Sequence, residues 1–507
     1  MQIHLDGILV EVNEGTTIAT LLPDHDPRCV VAVIRPAEAA VERTPFFRLY
    51  TTKGEIVIET TDPRVAMLES PDTVQKLHVQ WVDRYAVAFG PFPSGIPPAR
   101  QGSSYERGDV ILGCGGYDPS RSFLIFSRMR HLADHGAPSD GGILGRVVSG
   151  SGVLDQWVSG DRIEKVERVL SWEDRTRSFT TTNRDLVLED RMQIISFVNA
   201  VAQGYSTEGV RADEAESVEH LLLALRDGHF VVSRATSTHI RDCRMIQSEP
   251  SEGKKGPRRE GTISIRTDGP SRGCIYIYRT DVASHPSHTI AGRITHGIEL
   301  VKLASDSDIL RIKVEPQRCD MVGMSVEGGL QRAKERSIEA RFDHPEKNGI
   351  IVDQEPRTTL GVLSERRISL TTAPPDKVVA VKLDDTSAPS TCMIFREMTG
   401  LRFRTIGKLP VFFKFEDVIL FKPVMKSTVK ILPENVPTIE VPAYTLAITN
   451  DAQKGTGTVG IRLSDNSEFG PTGEVFEGTN IIGTVLEPEK LKGLKEKEML
   501  YIWEAPQ

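Results

Sequence analysis

The chain has 507 residues, enough for three or four domains. Its 26% of charged residues is typical of a globular protein, and its formal net charge of −8 excludes an overall basic field that would attract nucleic acid. Apolar runs such as "EHLLLALRDGHFVV" are too short to span a membrane, and "MQIHLDGILV" lacks the basic start of a targeting peptide. We therefore expect a cytoplasmic protein that binds neither nucleic acid nor membrane.

The first 45 residues predict a hairpin, a helix and a strand. Apolar and polar residues alternate on both sides of Asp6-Gly7, which indicates a β-hairpin. Thr16 or Thr17 can cap a short helix, and "CVVAVI" predicts a buried strand. This order resembles the ubiquitin-like β-grasp of sulfur-carrier proteins. Those carriers react through a free C-terminal Gly-Gly, whereas this chain continues through "RPAEAAVERT", so a docking or packing module is expected.

Three segments share one ending, which indicates an internal repeat. They start at Gly141, Ser287 and Gly478, and each predicts a strand, a glycine, a short strand, a polar turn, a short helix and a final strand. Each follows a strand of aromatic and β-branched residues: "SFLIFS", "CIYIYR" and "GTVGIRL". The polar stretch "SEFGPTGEVFEGTN" is then the connection between two strands of the third copy.

The shared ending resembles the C-terminal half of cyclophilin, a peptidyl-prolyl isomerase barrel, most closely over residues 122–157. The segments from Tyr50 and Val378 resemble the first hairpin and first helix of that fold, and the segment from Glu214 resembles this helix in the middle copy. The apolar stripe expected on the middle helix comprises Val218, Leu221, Leu222 and Leu225.

The expected fold class is mainly β with some helix: an N-terminal ubiquitin-like β-grasp followed by three degenerate cyclophilin-like β-barrel domains. The expected boundaries are 1–45 for the β-grasp, 46–171, 172–317 and 365–507 for the barrels, and 318–364 for a connecting segment of helix and strand.

The isomerase chemistry of cyclophilins is not expected here. In that family an arginine of a Phe-His-Arg strand polarises the prolyl nitrogen, and this sequence has no such triplet. Arg234 has a loosely similar place, but the Gln-Gly-Gly-Asp sequence that should follow is missing, and "GCGGYDPSRSF" keeps Phe123 without the arginine. Repeats that keep a fold without its catalytic site predict a binding protein.

Over essentially all 507 residues, the chain resembles the methanogenesis marker protein 3 family of methanogenic archaea. The resemblance rests on the β-grasp-like start, the divergent repeats, "GDVILGCGGYDPSRSFLIFSR" and "EFGPTGEVFEGTNIIGTV". That family is associated with the assembly that activates methyl-coenzyme M reductase by reducing its nickel tetrapyrrole, which takes ATP and low-potential electrons. The resemblance implies a non-catalytic scaffold without a cofactor of its own. Its implied partners are the reductase, its operon-encoded C protein, other marker proteins with iron–sulfur clusters, and an ATP-binding activation component.

Two segments are candidate partner contacts. The first is the loop "EFGPTGE", which has a glutamate where a phosphate-binding loop needs lysine, so it is either a structural turn or a partner contact. Its residues are Glu468, Phe469, Gly470, Pro471, Thr472, Gly473 and Glu474. The second holds Arg402 and Arg404, which form either a solvated face or a basic patch for an acidic partner. The run "PVFFKF" favours a barrel strand over a cofactor site.

Metal binding depends on residues that are dispersed in the sequence. No Cys-x-x-Cys occurs, so the six cysteines are expected to be mainly buried apolar residues, with Cys114 and Cys274 as candidate ligands. His131 and His135 would share one face of a helix. Three hypotheses follow: a scaffold of the activation assembly, a cyclophilin-type isomerase or folding helper, and a metal or cluster protein whose cysteines converge in the fold.

Overall fold

The computed structural model describes residues 1–35, 45–169, 178–206, 209–343, 348–424 and 429–506. The chain divides into two compact units, Met1–Arg318 and Cys319–Gln507, and it is mainly β as predicted. Within the described ranges no helix combines the length and the apolar character needed to cross a membrane. The expected boundary at 171–172 lies outside the described residues.

The N-terminal sheet takes its five strands from two separate parts of the chain. The predicted hairpin turns at Asp6-Gly7, and the Thr17 hydroxyl oxygen accepts a hydrogen bond from the N–H of Thr20 at the start of helix Ile18–Leu21. In sheet order the strands are Phe179–Thr181, Val31–Ile34, Gln193–Ile195, Gln2–Leu5 and Ile8–Glu11. Two strands from the stretch that the expected boundaries give to the second barrel therefore complete the N-terminal sheet.

The first unit also contains two eight-stranded sheets. In sheet order the first comprises Ile163–Arg168, Phe46–Thr51, Gly54–Glu59, Ile143–Ser149, Asp109–Cys114, Ser122–Ser127, Ala86–Phe92 and Val79–Val82. The second comprises His229–Val231, Ile309–Glu315, Val198–Ala202, His288–His296, Thr262–Arg266, Ile275–Tyr278, His239–Asp242 and Arg234–Ala235. Two strand pairs complete the unit: Ser103–Tyr105 with His131–Ala133, and Tyr205–Ser206 with Gly209–Val210.

Besides Ile18–Leu21, the α-helices in the described part of the first unit are Pro71–Val74, Ala215–Ala224 and Ile298–Leu303. The predicted apolar stripe of the middle one is confirmed, because Val218, Leu221, Leu222 and Leu225 are all buried. Leu221 and Leu225 belong to the apolar core of the second eight-stranded sheet.

The second unit consists of a small sheet and a closed barrel. The small sheet has the strand order Glu339–Phe342, Arg367–Ala373 and Ile350–Glu355, accompanied by helices Val326–Glu335 and Thr359–Glu365. Helix Pro389–Thr399 packs on the barrel core through Cys392 and Phe395. The strand order of the barrel is Val378–Leu383, Thr479–Val485, Thr445–Thr449, Val459–Arg462, Val418–Phe421, Ile406–Lys414 and Met499–Glu504. The strand at 367–373, which the expected boundaries give to the third barrel, pairs within the small sheet.

The predicted internal repeat is a repeated strand order. In the second and third copies, the first strand lies between an antiparallel strand that carries the repeated glycine and a parallel final strand. In the first copy the corresponding strands are Gly54–Glu59 and Ile163–Arg168, and strand Phe46–Thr51 lies between them and pairs with both. The endings of the second and third copies therefore occupy equivalent places in their sheets, and that of the first copy differs by one inserted strand.

The glycine shared by the three endings lies at a β-bulge. Strand pairing skips one residue beside Gly145, Gly292 and Gly483. The skipped residues are buried: Leu144, Ala291 and Ile482. A side chain at any of the three glycines would collide with a carbonyl oxygen of the neighbouring strand, that of Lys382 in the case of Gly483. The glycine is repeated because the bulge brings two backbones too close for a Cβ atom.

A half-buried histidine joins the three large sheets of the first unit. His296 of the second eight-stranded sheet lies 3.0 Å from Glu55 of the first and 3.7 Å from Asp6 of the N-terminal hairpin. Burial alone would lower the pKa of His296, but its contacts with Asp6 and Glu55 raise that pKa to about 9. The imidazole is therefore positively charged at neutral pH and lies between two carboxylates.

Candidate functional site

The loop at 464–478 is packed at its centre and exposed at its start. Gly470, Pro471 and Thr472 are buried, whereas Glu468 and Phe469 are exposed. The Gly470 N–H donates to the carbonyl of Glu474 at 2.9 Å, and the Gly473 N–H donates to the carbonyl of Gly470 at 3.0 Å. These bonds close a tight turn, with Gly473 in the left-handed region at φ 78°.

The centre of this loop packs closely against the neighbouring strands. The carbonyl of Pro471 lies so close to Gly460 that a Cβ atom there would collide with it, and the Thr472 hydroxyl lies 3.3 Å from that of Thr479. Residues 470–472 are therefore the structural part of the turn. The part of the loop that can contact a partner is Glu468, Phe469, Gly473 and the half-buried Glu474.

The two candidate arginines are paired with carboxylates. Arg402 is 8% exposed and lies 3.3 Å from Glu397, so the expectation of a solvated face is wrong for this residue. Arg404 lies 2.9 Å from Asp353, and Lys408 lies 2.5 Å from the same carboxylate. Burial alone would raise the pKa of Asp353, but the hydrogen bond and charge of Lys408 hold it below its usual range. This cluster joins the barrel to the small sheet.

The aromatic run forms a surface patch that the sequence did not predict. As expected, Phe412 and Phe413 lie on the barrel strand Ile406–Lys414, but they are 56% and 40% exposed, and Phe415 just beyond is 54% exposed. The strand pairing skips Phe412, and the rings of Phe413 and Phe415 lie 4.4 Å apart. We call these three residues the aromatic patch. Two adjacent phenylalanines break the alternation of a half-buried strand, which is the pattern that could have revealed it.

His131 and His135 lie on a short strand and the turn after it, not on a helix, because His131–Ala133 pairs with Ser103–Tyr105. Their Nε2 atoms are 3.1 Å apart. His131 Nδ1 donates to the Met129 carbonyl at 2.9 Å, which leaves its Nε2 to accept from His135. Burial and the neighbouring His131 lower the pKa of His135 to about 4. Across the described residues, no third ligand completes a metal set at this pair.

The cysteine candidates also have other partners. Cys274 forms a disulfide with Cys243, directly opposite on the neighbouring antiparallel strand and one place beyond the pair Asp242 and Ile275. Cys114 is buried, with its sulfur 3.3 Å from the Ser122 hydroxyl. Cys274 is buried as expected, but the disulfide, which joins two residues 31 positions apart in the chain, leaves it no free thiolate to bind a metal.

A further set of potential metal ligands was not predicted from the sequence. The ligand atoms of Asp26, Cys29 and His229 lie within 4.8 Å of one another. However, Arg28 lies 2.7 Å from Asp26, and burial raises the pKa of the Cys29 thiol to about 11, which disfavours the thiolate that a metal requires. The 3.1 Å contact of His229 with Asp26 instead joins two segments of the first unit.

The arginines that could take the place of the cyclophilin arginine are paired with carboxylates. Arg234 is exposed on a two-residue strand, 3.4 Å from Asp306. The barrel sequence from 379 to 505 contains four arginines, and each has a carboxylate within 3.3 Å. The pairs are Arg396 with Asp385 and Glu504, Arg402 with Glu397, Arg404 with Asp353, and Arg462 with Asp417.

Comparison with known proteins shows similarity over the whole chain. Residues 379–505 match the family model described as "Putative peptidyl-prolyl cis-trans isomerase domain". The UPF0288 protein of Methanosarcina mazei is 34% identical over 100% of this chain and 97% of its own. That of Methanothermobacter thermautotrophicus is 29% identical, over 99% and 98% of the two chains. The crystal structure of a conserved Enterococcus faecalis protein of unknown function overlaps 24% of this chain and 30% of its own, at 14% identity and a TM-score of 0.18, too low to inform the fold.

Proposed function

The chain belongs to the UPF0288 protein family of methanogenic archaea, and we propose that it is a non-catalytic scaffold subunit of the ATP-dependent assembly that activates methyl-coenzyme M reductase. The proposal identifies it with methanogenesis marker protein 3, acting in the cytoplasm. The proposed partners are the reductase, its operon-encoded C protein, other marker proteins and an ATP-binding component. These partners would carry the nickel tetrapyrrole, the iron–sulfur clusters and ATP, with no cofactor on this chain.

The aromatic patch is the observation that carries the proposal. Exposed aromatic rings on a rigid strand lose little conformational entropy on binding, and aromatic residues are enriched among the residues that dominate protein interfaces. The repeated sheet topology, which we interpret as a β-grasp followed by three cyclophilin-like barrels, supports the same role. Contacts placed on packed strands hold bound partners in fixed positions better than contacts on loops.

The test is an anaerobic pull-down of the tagged full chain from its own cells, read by mass spectrometry. The reductase subunits should be recovered in stoichiometric amounts. A Phe412→Ser/Phe413→Ser variant should lose at least about tenfold of this recovery, since an aromatic residue at the centre of an interface contributes about 2 kcal/mol or more. Ile439→Ser removes an apolar side chain that is 81% exposed elsewhere in the same unit, and it should bind normally.

Two outcomes would contradict the proposal. Failure of the wild-type chain to recover the reductase would rule out the scaffold function. Equal recovery by the Phe412→Ser/Phe413→Ser variant would show that the aromatic patch is not the docking surface.

The family match over 379–505 is the specific observation that favours an isomerase or folding helper as the second candidate function. The ion-paired arginines of the barrel oppose it, because a guanidinium held by a carboxylate is poorly placed to polarise a prolyl nitrogen. Uncatalysed prolyl isomerisation takes tens of seconds or more, so acceleration by micromolar protein is easily measured with a proline peptide.

A further inference from the structure

A cavity of about 430 Å³ lies between the two eight-stranded sheets of the first unit. The first sheet and its loops contribute residues such as Arg107 and Val153, and the second contributes residues such as Arg259 and Ile294. This volume lies within the range of about 300–1,000 Å³ that is typical of small-molecule sites. The cavity is separate from the aromatic patch, which belongs to the second unit.

The lining is strongly basic although the whole chain carries a net charge of −8. Besides the charged His296 imidazole, its cationic side chains are Arg84, Arg107, Arg128, Lys254, Lys255, Arg259 and Arg293. Its carboxylates are Glu55, Asp155 and Glu260. An excess of positive charge enclosed between two sheets raises the local concentration of anions.

The three carboxylates are already paired. Asp155 lies 3.0 Å from Arg107 and 3.3 Å from Arg259. Glu55 contacts His296 at 3.0 Å, and Glu260 lies 3.0 Å from Lys302. These carboxylates therefore hold the two sheets together and leave the remaining cations of the cavity uncompensated.

Four cations of the lining have no carboxylate within 4.0 Å among the described residues: Arg84, Arg128, Lys254 and Arg293. Arg128 donates to the carbonyl of Asp83 at 2.9 Å, and Arg293 donates to the carbonyl of Lys53. Burial lowers the pKa of both guanidiniums. A partly desolvated cation that has only carbonyl partners is stabilised by an anion, and guanidinium groups match phosphate oxygens well.

The apolar side chains of the lining are aliphatic and include Met129, Val153, Ile290 and Ile298, and none of the described residues that line the cavity is Phe, Tyr or Trp. The apolar walls therefore fit an aliphatic body. We propose that this cavity binds a phosphate-bearing small molecule, with its phosphate neutralised by the four cations that lack a carboxylate. This ligand site is independent of the proposed scaffold function.

The test is isothermal titration of the full chain with sodium pyrophosphate at about 50 mM salt, with acetate as the singly charged comparison. We expect one site per chain with a dissociation constant below about 1 mM, and no measurable binding of acetate. Arg84→Gln and Lys254→Gln remove exposed charges at the cavity rim and should each weaken binding about threefold to tenfold. Lys76→Gln, an exposed lysine outside the lining, should bind like wild type.

Thermal unfolding with 10 mM pyrophosphate provides a second readout, because a ligand that binds the folded state raises the melting temperature. The rise should be smaller in Arg84→Gln and Lys254→Gln than in Lys76→Gln. Absence of heat and of any thermal shift in the wild type would overturn the proposal. Binding that is the same in all three variants would also overturn it, since the anion would then lie elsewhere.

Discussion

His296 makes the stability of the first unit depend on pH in a defined direction. Its pKa is raised from 6.5 to about 9 by Asp6 and Glu55. The unfolded chain loses this proton near pH 6.5, whereas the folded chain keeps it up to about pH 9. The stabilisation is therefore complete below pH 6.5, decreases between pH 6.5 and 9, and is lost above pH 9.

The magnitude follows from the size of the pKa shift. One pKa unit corresponds to about 1.4 kcal/mol, so the shift to about 9 is equivalent to about 3 kcal/mol. Solvent screening reduces this value little, because the imidazole is only 13% exposed. Asp6 also accepts hydrogen bonds of 2.6 Å from the N–H and the hydroxyl of Ser196, which fixes its carboxylate beside the ring.

The assay is urea unfolding at pH 6, 7.5 and 9.5, followed by tryptophan fluorescence. Trp503 is the sole tryptophan of the second unit, so a Trp503→Phe background makes the fluorescence report on the first unit alone. The free energy of unfolding should fall by up to about 3 kcal/mol from pH 6 to 9.5.

His296→Gln keeps the approximate size of the side chain but removes the titrating charge, so it should lower stability at pH 6 and flatten the pH dependence. The exposed His78, changed to Gln, is the matched control and should follow the wild type. An equal loss of stability with pH in His296→Gln and in wild type would refute the reasoning.

Three further predictions concern the repeat, the disulfide and catalysis. Gly483→Ala should lower the free energy of unfolding by at least about 2 kcal/mol and weaken hydrogen-exchange protection of strand Thr479–Val485, because the added methyl group meets the Lys382 carbonyl. Gly493→Ala is the control: it has open space around it and should change stability by no more than about 0.5 kcal/mol. Thiol titration of the unfolded chain should count four free cysteines before reduction and six after it, and six before reduction would contradict the disulfide. A reductant should lower the stability of the wild type by about 3 kcal/mol and leave that of Cys243→Ser/Cys274→Ser unchanged. The wild-type chain should not accelerate cis–trans exchange of a proline peptide, and acceleration that tracks protein concentration would favour the isomerase hypothesis.

Local patterns were sufficient to predict many elements of this fold. The Asp6-Gly7 turn, the cap of Thr17 and the apolar stripe of Ala215–Ala224 depend on residues close together in sequence, and the structure confirms each of them. The repeated endings were also visible, because each copy needs the same glycine at the same bulge. Within the candidate loop, the glycines and Pro471 were enough to suggest a structural turn.

Contacts between distant residues were decided by the tertiary structure alone. Strand register places Cys243 opposite Cys274, and sheet pairing brings Phe179–Thr181 to the N-terminal sheet. The burial of Arg402 and the exposure of Phe412 depend on which neighbours cover each face of a strand or turn. The sequence by itself determined where most strands, helices and turns form, because those preferences are local, although the segment of His131 and His135 became a strand through its pairing with Ser103–Tyr105. Only the packed sheets decided which charges meet and which surfaces remain open, since those contacts form between residues that the chain order keeps far apart.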